Sequence, residues 1–276
     1  MESTRMNLLV TLDKSYLLQL SVMLKSLLMN NKDFFVDVYV LHMSLSETDF
    51  DEVKIRVNEK RLNLFPVSII EDGMVQFPTS KRFPREMYLR LFSADYLPEN
   101  LDKILYLDPD IVIINSLKAL YNSAFDNHFF MACSHVFKAG QTFNGLRLKT
   151  DKEIPYFNSG VILMNLPLMR KSIQKRLIID YVIHNKHRLF LPDQDVFSAL
   201  FGKNTLLLDS LVYNLSDRYK LWYDIRQINK TSKISQEWIH QNTSIIHYCG
   251  RNKPWKRNYR GLLGHYYHQY HSLLKK

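Results

Sequence analysis

Two acids interrupt an otherwise apolar run in the stretch Ile104-Leu105-Tyr106-Leu107-Asp108-Pro109-Asp110-Ile111-Val112-Ile113. The apolar residues on both sides predict two buried strands. Carboxylates at the end of a buried strand are costly unless a cation neutralises them. A divalent metal would do so and could also hold a diphosphate. Asp-Pro-Asp is also a turn sequence, and this simpler interpretation stays open unless other residues complete a metal site.

Composition is typical of a globular enzyme. The chain has 276 residues, of which 46% are hydrophobic and 23% charged, and this length suits one large α/β domain. It contains no run of 18 apolar residues, so no transmembrane helix is expected. The first apolar run, 6–10, is too short for a signal-peptide core. Cys133 and Cys249 provide neither a disulfide framework nor a four-ligand zinc site. These features predict a cytoplasmic protein.

The formal net charge is +10, and the excess is concentrated at the C-terminus. Residues 251–276 contain seven Lys or Arg, three His, five aromatic residues and no acid. Cations mixed with aromatics suit an anionic membrane surface, which predicts peripheral attachment to the inner leaflet. A solvated helix with a basic face is the alternative. No nucleic-acid partner is expected, because the sequence contains no RRM, KH or helix-turn-helix signature.

Hydrophobic periodicity predicts alternating strands and helices, which indicates a largely parallel sheet with crossover helices. Strands are predicted at 8–11, 35–41, 64–70, 104–107, 129–133, 160–165 and 244–247. Helices are predicted around the stripe Leu20, Met23, Leu24, Leu27 and Leu28, and at 46–61, 88–96, 167–187 and 194–201. The polar stretches 134–155 and 216–241 are predicted to be irregular. Ligands of such sheets bind beyond the carboxyl ends of the strands. Thr11, Asp13, Asp108, Asp110 and His247 are therefore expected to converge.

Seven motifs in order resemble the retaining glycosyltransferases of family 8, in particular bacterial galactosyltransferases of lipooligosaccharide synthesis. They are Val10-Thr11-Leu12-Asp13-Lys14-Ser15-Tyr16, Tyr88-Leu89-Arg90, Tyr106-Leu107-Asp108-Pro109-Asp110, Phe157-Asn158-Ser159-Gly160-Val161, Pro192-Asp193-Gln194-Asp195, His247-Tyr248-Cys249-Gly250 and Lys253-Pro254-Trp255. The resemblance implies an α/β fold of the GT-A type, a Rossmann-like mixed sheet flanked by helices. It implies a catalytic domain over 1–250, followed by the basic aromatic segment 251–276.

The resemblance also implies a metal-dependent hexosyltransferase that uses a UDP-sugar. Asp108, Asp110 and His247 would bind a divalent cation, Mn²⁺ or Mg²⁺. Carboxylates with one imidazole suit manganese better than magnesium or zinc. A core position for His247, with no role as a ligand, is the alternative.

The donor nucleotide would be held at both of its ends. By resemblance, Thr11 and Asp13 would bind the uracil edge and Tyr16 would stack on the ring. Tyr16 could instead only begin an amphipathic helix. Pro109 would lie in the donor site between the acids. Lys253 would contact the diphosphate, and Gly250 would let the backbone approach it.

The donor sugar would be lined by Arg90, Asn158, Asp193 and Gln194, of which the last three are the expected catalytic residues. A turn or a helix cap is the alternative for Asn158 and for the Asp193-Gln194 pair. An amide is a poor nucleophile, so same-face attack on the sugar is favoured over a covalent intermediate at Gln194.

His135 stands where the galactosyltransferase relatives carry an acid that contacts sugar hydroxyls. Galactose and glucose therefore both stay open as the transferred hexose, and the acceptor could be a glycan, a glycolipid or a glycoprotein. Two other functions remain: a metal-dependent UDP-sugar hydrolase, and a catalytically inactive glycan-binding relative. The intact set Asp108, Asp110 and His247 argues against the second.

Overall fold

The computed structural model describes residues 4–70, 77–80, 85–227 and 233–275. The strands in this part of the chain are β1 (Thr4–Thr11), β2 (Phe34–His42), β3 (Leu62–Ser68), β4 (Lys103–Leu107), β5 (Ile111–Ile113), β6 (Phe130–Cys133), β7 (Val161–Asn165), β8 (Thr205–Leu208) and β9 (Ile245–His247). The α-helices are α1 (Leu17–Asn30), α2 (Glu47–Val57), α3 (Ser93–Tyr96), α4 (Lys118–Tyr121), α5 (Lys138–Leu148), α6 (Leu166–Ser172), α7 (Lys175–Asn185), α8 (Pro192–Phe201), α9 (Ser210–Tyr213), α10 (Asp217–Arg226), α11 (Gln236–Asn242) and α12 (Gly264–His271). None of these helices has the length and hydropathy needed to cross a membrane.

The main sheet is mixed and has the strand order β3-β2-β1-β4-β7-β6-β8. Only β7 runs against its neighbours, since it pairs antiparallel with both β4 and β6 while the other pairs are parallel. A mixed α/β sheet of this kind confirms the expected fold class. β5 and β9 form a separate two-stranded antiparallel sheet.

Helices cover both faces of the main sheet, which is why its central strands are continuous apolar runs. On one face, Leu8 and Val10 of β1 pack with the stripe of α1 and with Phe50, Val53 and Val57 of α2. On the other face, Leu9 packs with a 3₁₀ helix over Arg85–Phe92 and with α6, α7 and α8. α2 begins with a capping box, in which Ser46 and Asp49 bond each other's backbone.

Several predicted elements differ from the structure. Residues 134–155 contain α5, and 216–241 contain α10 and α11, with 228–232 outside the described residues. Ser216 caps α10 and Ser235 caps α11. Each side chain accepts a hydrogen bond from the backbone amide three residues further along the chain. The helix expected at 167–187 is two helices, because the backbone becomes extended at Ile173 and Gln174. α2 ends at Val57, since Asn58 adopts the left-handed conformation with φ 49°.

The C-terminal segment packs on the α/β fold. Tyr266, Tyr267 and Tyr270 of α12 are 6%, 3% and 5% exposed and lie in a cluster with Val22 of α1 and Val112 of β5. These tyrosines therefore face the protein, which corrects the expectation that they meet lipid headgroups. The boundary at residue 250 stays a prediction.

Candidate active site

A cleft of about 830 Å³ opens beyond the carboxyl ends of the strands, and all thirteen predicted site residues line it. They are Thr11, Asp13, Tyr16, Arg90, Asp108, Pro109, Asp110, Asn158, Asp193, Gln194, His247, Gly250 and Lys253. The structure thus brings together residues that are far apart in sequence, as the sheet topology predicts.

The two acids lie in the turn between β4 and β5, and the small sheet brings His247 to them. Ile111 is directly opposite His247 in the β5–β9 ladder. The backbone amide of Tyr248 donates to the Asp110 carbonyl at 3.0 Å, which extends the pairing past the strand ends. The position of His247 therefore follows from strand register.

Potential ligand atoms of Asp108, Asp110 and His247 all lie within 4.8 Å of one another. His247 Nε2 is 3.1 Å from Asp110 Oδ1 and 3.6 Å from Asp108 Oδ2. Asp110 Oδ1 is buried and has no hydrogen-bond partner among the described residues. An unpartnered carboxylate oxygen beside an imidazole suits a divalent cation. The three residues fit the expected metal and argue against a turn-only role for the acids.

The tautomer of His247 is set by Asn214. His247 Nδ1 lies 2.9 Å from Asn214 Oδ1, which can only accept, so the proton belongs on Nδ1 and Nε2 is free to bind a metal. Burial opposes a charge on His247, but the neighbouring groups, Asp110 foremost and Asp108 among them, together outweigh this effect and raise the pKa of the imidazole. The carboxylates around His247 therefore create a negative potential that favours a cation at this position.

Lys253 supplies a fixed positive charge next to the acids. Its ammonium contacts Asp110 Oδ2 and donates to the Tyr248 carbonyl at 2.9 Å. Burial would raise the pKa of Asp110, but Lys253 and His247 reverse this effect and lower it. Asp110 is thus ionised and available as an anionic ligand at neutral pH.

Arg90 links Asp108 of the proposed metal site to Asp193, which is expected to line the donor sugar. Its Nη1 is 2.9 Å from Asp108 Oδ1 and 3.3 Å from Asp193 Oδ2, and it donates to the Ser159 carbonyl at 3.0 Å. The guanidinium also lies over the Tyr106 ring, 4.3 Å from its centroid. Arg90 is buried, and its Nη1 holds the Asp108 and Asp193 carboxylates close to each other.

The Asp193 carboxylate is also held by neighbouring side chains. It lies inside the first turn of α8, where Ser159 Oγ donates to its Oδ2 at 2.8 Å. Burial raises the pKa of this carboxyl despite the opposing effect of Arg90. Helix capping does not explain Asp193, because the cap position of α8 is Leu191.

A chain of side-chain amides connects the metal site to Gln194. Asn214 Nδ2 donates to Asn158 Oδ1 at 2.9 Å, and Asn158 Nδ2 donates to Gln194 Oε1 at 3.1 Å. Asn214 is fully buried, and its other side-chain atom contacts His247. Sequence reasoning missed Asn214, because it follows a four-residue helix in a stretch without a recognisable motif.

Gly160 makes the close approach of the metal ligands possible. A Cβ there would lie 2.3 Å from His247 Cε1 and 2.6 Å from Asp108 Oδ2. The Gly160 carbonyl also accepts from the Asp108 amide at 2.8 Å. The predicted motif Asn158-Ser159-Gly160 contained this residue, but its role depends on neighbours distant in sequence.

The end of β1 and the start of α1 carry the residues that the resemblance assigns to the nucleotide. Thr11 Oγ1 is 3.2 Å from the Tyr106 hydroxyl, which donates to Asp108 Oδ1 at 2.6 Å. Asp13 accepts from the Ser15 amide at 2.8 Å. Tyr16 precedes α1, is partly exposed to the cleft and meets Trp255 edge-on, with ring centroids 6.3 Å apart.

Gly250 has φ +96°, and a Cβ there would meet no atom within 4 Å. Backbone conformation therefore explains a glycine at this position.

His135 is neutral where an acid was expected from the relatives. Its Nε2 is 2.6 Å from the Asn214 carbonyl, and its ring stacks on Tyr219. Burial lowers the pKa of His135 to about 4. This position therefore carries no charge at neutral pH.

Comparison with known proteins shows which family shares this sequence and fold. A family model described as glycosyl transferase family 8 matches residues 7–259. The chain is 25% identical over 257 residues to the lipopolysaccharide 1,2-glucosyltransferase of Escherichia coli K12, covering 91% of this chain and 73% of that protein. It is 23% identical over 258 residues to the lipopolysaccharide 1,3-galactosyltransferase of Salmonella typhimurium, covering 92% and 74%.

The fold is shared with a solved galactosyltransferase, LgtC, in complex with donor and acceptor sugar analogs. The TM-score is 0.85 at 22% identity, over 98% of this chain and 97% of that one. Fold and site define a glycosyltransferase of the GT-A type. The chain belongs to glycosyl transferase family 8, which confirms the resemblance seen in the sequence.

Proposed function

We propose that this protein transfers galactose or glucose, with retention of configuration, from a UDP-sugar to a glycan acceptor in a metal-dependent reaction. The principal support is the convergence of Asp108, Asp110 and His247, with an unpartnered Asp110 oxygen, in the cleft that holds the other predicted donor residues. The similar proteins of Escherichia coli and Salmonella typhimurium are lipopolysaccharide glycosyltransferases, so a surface glycolipid is the acceptor that we favour over a glycoprotein.

Asp108, Asp110 and His247 would hold a divalent cation, Mn²⁺ or Mg²⁺. When bound, this cation supplies positive charge that stabilises a departing diphosphate. Lys253 adds a second positive charge from its position against Asp110, where it stabilises the same leaving group. Tyr16, Thr11 and Asp13 would bind the uridine at the other end of the cleft.

Same-face attack remains the mechanism that we favour. Asp193 Oδ2 accepts from Ser159 and pairs with Arg90, and these contacts support a positioning role for this carboxylate over a nucleophilic one. Gln194 is a weak nucleophile, and its carbonyl oxygen already accepts from Asn158. In this proposal Gln194 and Asn158 position the donor sugar. A glycosyl adduct trapped on Asp193 or Gln194 would contradict it.

UDP release with Mn²⁺ tests the proposal, using UDP-galactose, UDP-glucose and their N-acetyl forms as donors. Turnover should occur with one hexose and should be abolished by EDTA and by Asp110→Asn. Free hexose formed without acceptor should be slow compared with transfer to a lipopolysaccharide acceptor. Hydrolysis as fast as transfer would indicate a hydrolase, and UDP binding without turnover would indicate a glycan-binding role.

The protein is expected to work on the cytoplasmic side of the membrane. Its exposed C-terminal cations, among them Arg257 and Arg260, would attract the anionic inner leaflet where lipid-linked acceptors are presented.

A further inference from the structure

One wall of the cleft is formed by α10, which the sequence did not predict. Arg218, Trp222 and Arg226 are four residues apart along this helix, and all three line the cleft. Residues at this spacing form one stripe on a helix surface. Trp222 is 48% exposed, so its ring is presented to the cleft and not packed in the core.

The two arginines of the stripe have no carboxylate partner among the described residues. The acids of the same helix are engaged elsewhere. Asp224 binds Lys220 and the Ile234 amide, and Asp217 accepts from the amides of Leu262 and Leu263. α10 therefore presents positive charge to the cleft that the protein itself does not neutralise.

A third arginine of the cleft differs in this respect. Arg147 of α5 forms two hydrogen bonds with Asp195, at 2.8 and 2.7 Å. It connects α5 to α8 and is not available to a ligand.

Aromatic rings surround the stripe. Tyr219 stacks between His135 and Phe137, with ring centroids 5.1 and 5.7 Å from its own. The Arg226 guanidinium lies 3.6 Å above the Phe137 ring, which fixes its plane. Flat rings provide apolar contact area for the C–H faces of sugars, and a planar guanidinium binds phosphate or carboxylate through paired hydrogen bonds.

We propose that the acceptor is a glycan bearing an anionic group, a phosphate or a carboxylate, which Arg218 and Arg226 bind while Trp222 contacts a sugar ring. This inference rests on the proposed function, because it names the acceptor class of the same cleft. No residue of the donor or metal site is part of the stripe, so the acceptor anion and the donor diphosphate have separate cations.

Binding of simple sugars tests the proposal without turnover. The protein is saturated with UDP and Mn²⁺, so that anions do not occupy the diphosphate site, and titrated with glucose, glucose 6-phosphate, glucuronic acid and inorganic phosphate. At least one anionic sugar should bind roughly tenfold or more tightly than glucose. The Arg218→Gln/Arg226→Gln variant should lose this preference, whereas Arg176→Gln, on an exposed arginine of α7, should keep it.

The comparison of anions identifies the group that is recognised. Preference for glucose 6-phosphate assigns a phosphate, and preference for glucuronic acid assigns a carboxylate. Equal binding of neutral and anionic sugars, binding of none of them, or a preference retained by the double variant would overturn the proposal. So would inorganic phosphate binding as tightly as glucose 6-phosphate, since the aromatic wall would then contribute nothing. Failure of the proposed transfer reaction would appear separately, as absent UDP release by the unaltered protein.

Discussion

Asn214 and His247 are joined by a hydrogen bond of 2.9 Å between Oδ1 and Nδ1. Through this bond Asn214 directs His247 Nε2 at the two carboxylates, while its amide nitrogen holds Asn158. One buried residue thus contacts both a proposed metal ligand and a residue expected to line the donor sugar.

Two substitutions of Asn214 should separate these contacts. Asn214→Ala should weaken Mn²⁺ binding roughly 10- to 100-fold, because the histidine loses the partner that orients it. Asn214→Asp keeps an acceptor for His247 but cannot donate to Asn158, so metal affinity should be nearly retained while kcat falls. Calorimetry with Mn²⁺ and steady-state kinetics measure the two effects. Wild-type metal affinity in the alanine variant would show that Asn214 does not orient His247.

Gly160→Ala should abolish metal binding. The added methyl group would overlap His247 Cε1 and Asp108 Oδ2, so at least one ligand must move out of position. Mn²⁺ titration of the purified variant is the direct measurement, with circular dichroism to verify folding. A folded variant with unaltered Mn²⁺ affinity would mean that the ligands have more room than the structure gives them.

Stability between pH 4 and pH 2 should depend on Asp49. A hydrogen bond from Lys14, followed by hydrogen bonds from Ser46, lowers the pKa of this carboxyl from 3.8 to about 2. The folded-state pKa is below the unfolded one, so Asp49 stabilises the fold above pH 4, and this contribution is lost as the pH falls towards 2. Asp49→Asn should lower Tm at pH 7, and the difference from wild type should shrink through this window. A difference in Tm that is constant with pH would be inconsistent with ionisation as the cause.

Reversing the C-terminal charge should weaken binding to anionic vesicles. Arg257 and Arg260 are exposed, and each cation near a membrane surface contributes about 1 kcal/mol. Arg257→Glu/Arg260→Glu should therefore reduce co-sedimentation with phosphatidylserine vesicles on the order of tenfold or more, and high salt should do the same to the wild type.

The matched control for vesicle binding is Lys118→Glu/Lys171→Glu, which reverses two exposed cations on α4 and α6, outside the C-terminal segment. An equal loss in both double variants would show that net charge alone acts, and no loss in either would rule out this surface. Truncation at Gly264 is a poorer test, since it removes the buried tyrosines of α12.

Most strands, but not β8, could be predicted because their signals are local, whereas His247 was added to Asp108 and Asp110 only by resemblance to the family. Buried apolar runs predicted β1, β2 and β4. The acids at the ends of β1 and β4 predicted the position of the cleft. The helices α5 and α10 could not be predicted, because their large apolar residues are exposed. Phe143 and Leu146 on α5, and Leu221 and Ile225 on α10, are all more than half exposed. A periodicity argument assumes that apolar residues face a core, and these residues do not.

The roles of Asn214 and Gly160 could not be predicted for a different reason. Each depends on atoms that reach it through sheet register, which no window of sequence shows. The break between α6 and α7 also lacks a local signal, since neither proline nor glycine lies between Ser172 and Lys175.

Pairing of β5 with β9 has a consequence for the biosynthesis of the protein. The acids lie before the midpoint of the chain, whereas His247 lies within its last thirty residues. Because 136 residues separate Asp110 from His247, a ribosome releases both acids well before the third proposed ligand exists, and the small sheet must form before the proposed site is complete. Loading of the proposed metal site can follow only after β9 has paired with β5, and a chain terminated before His247 would lack the third proposed ligand.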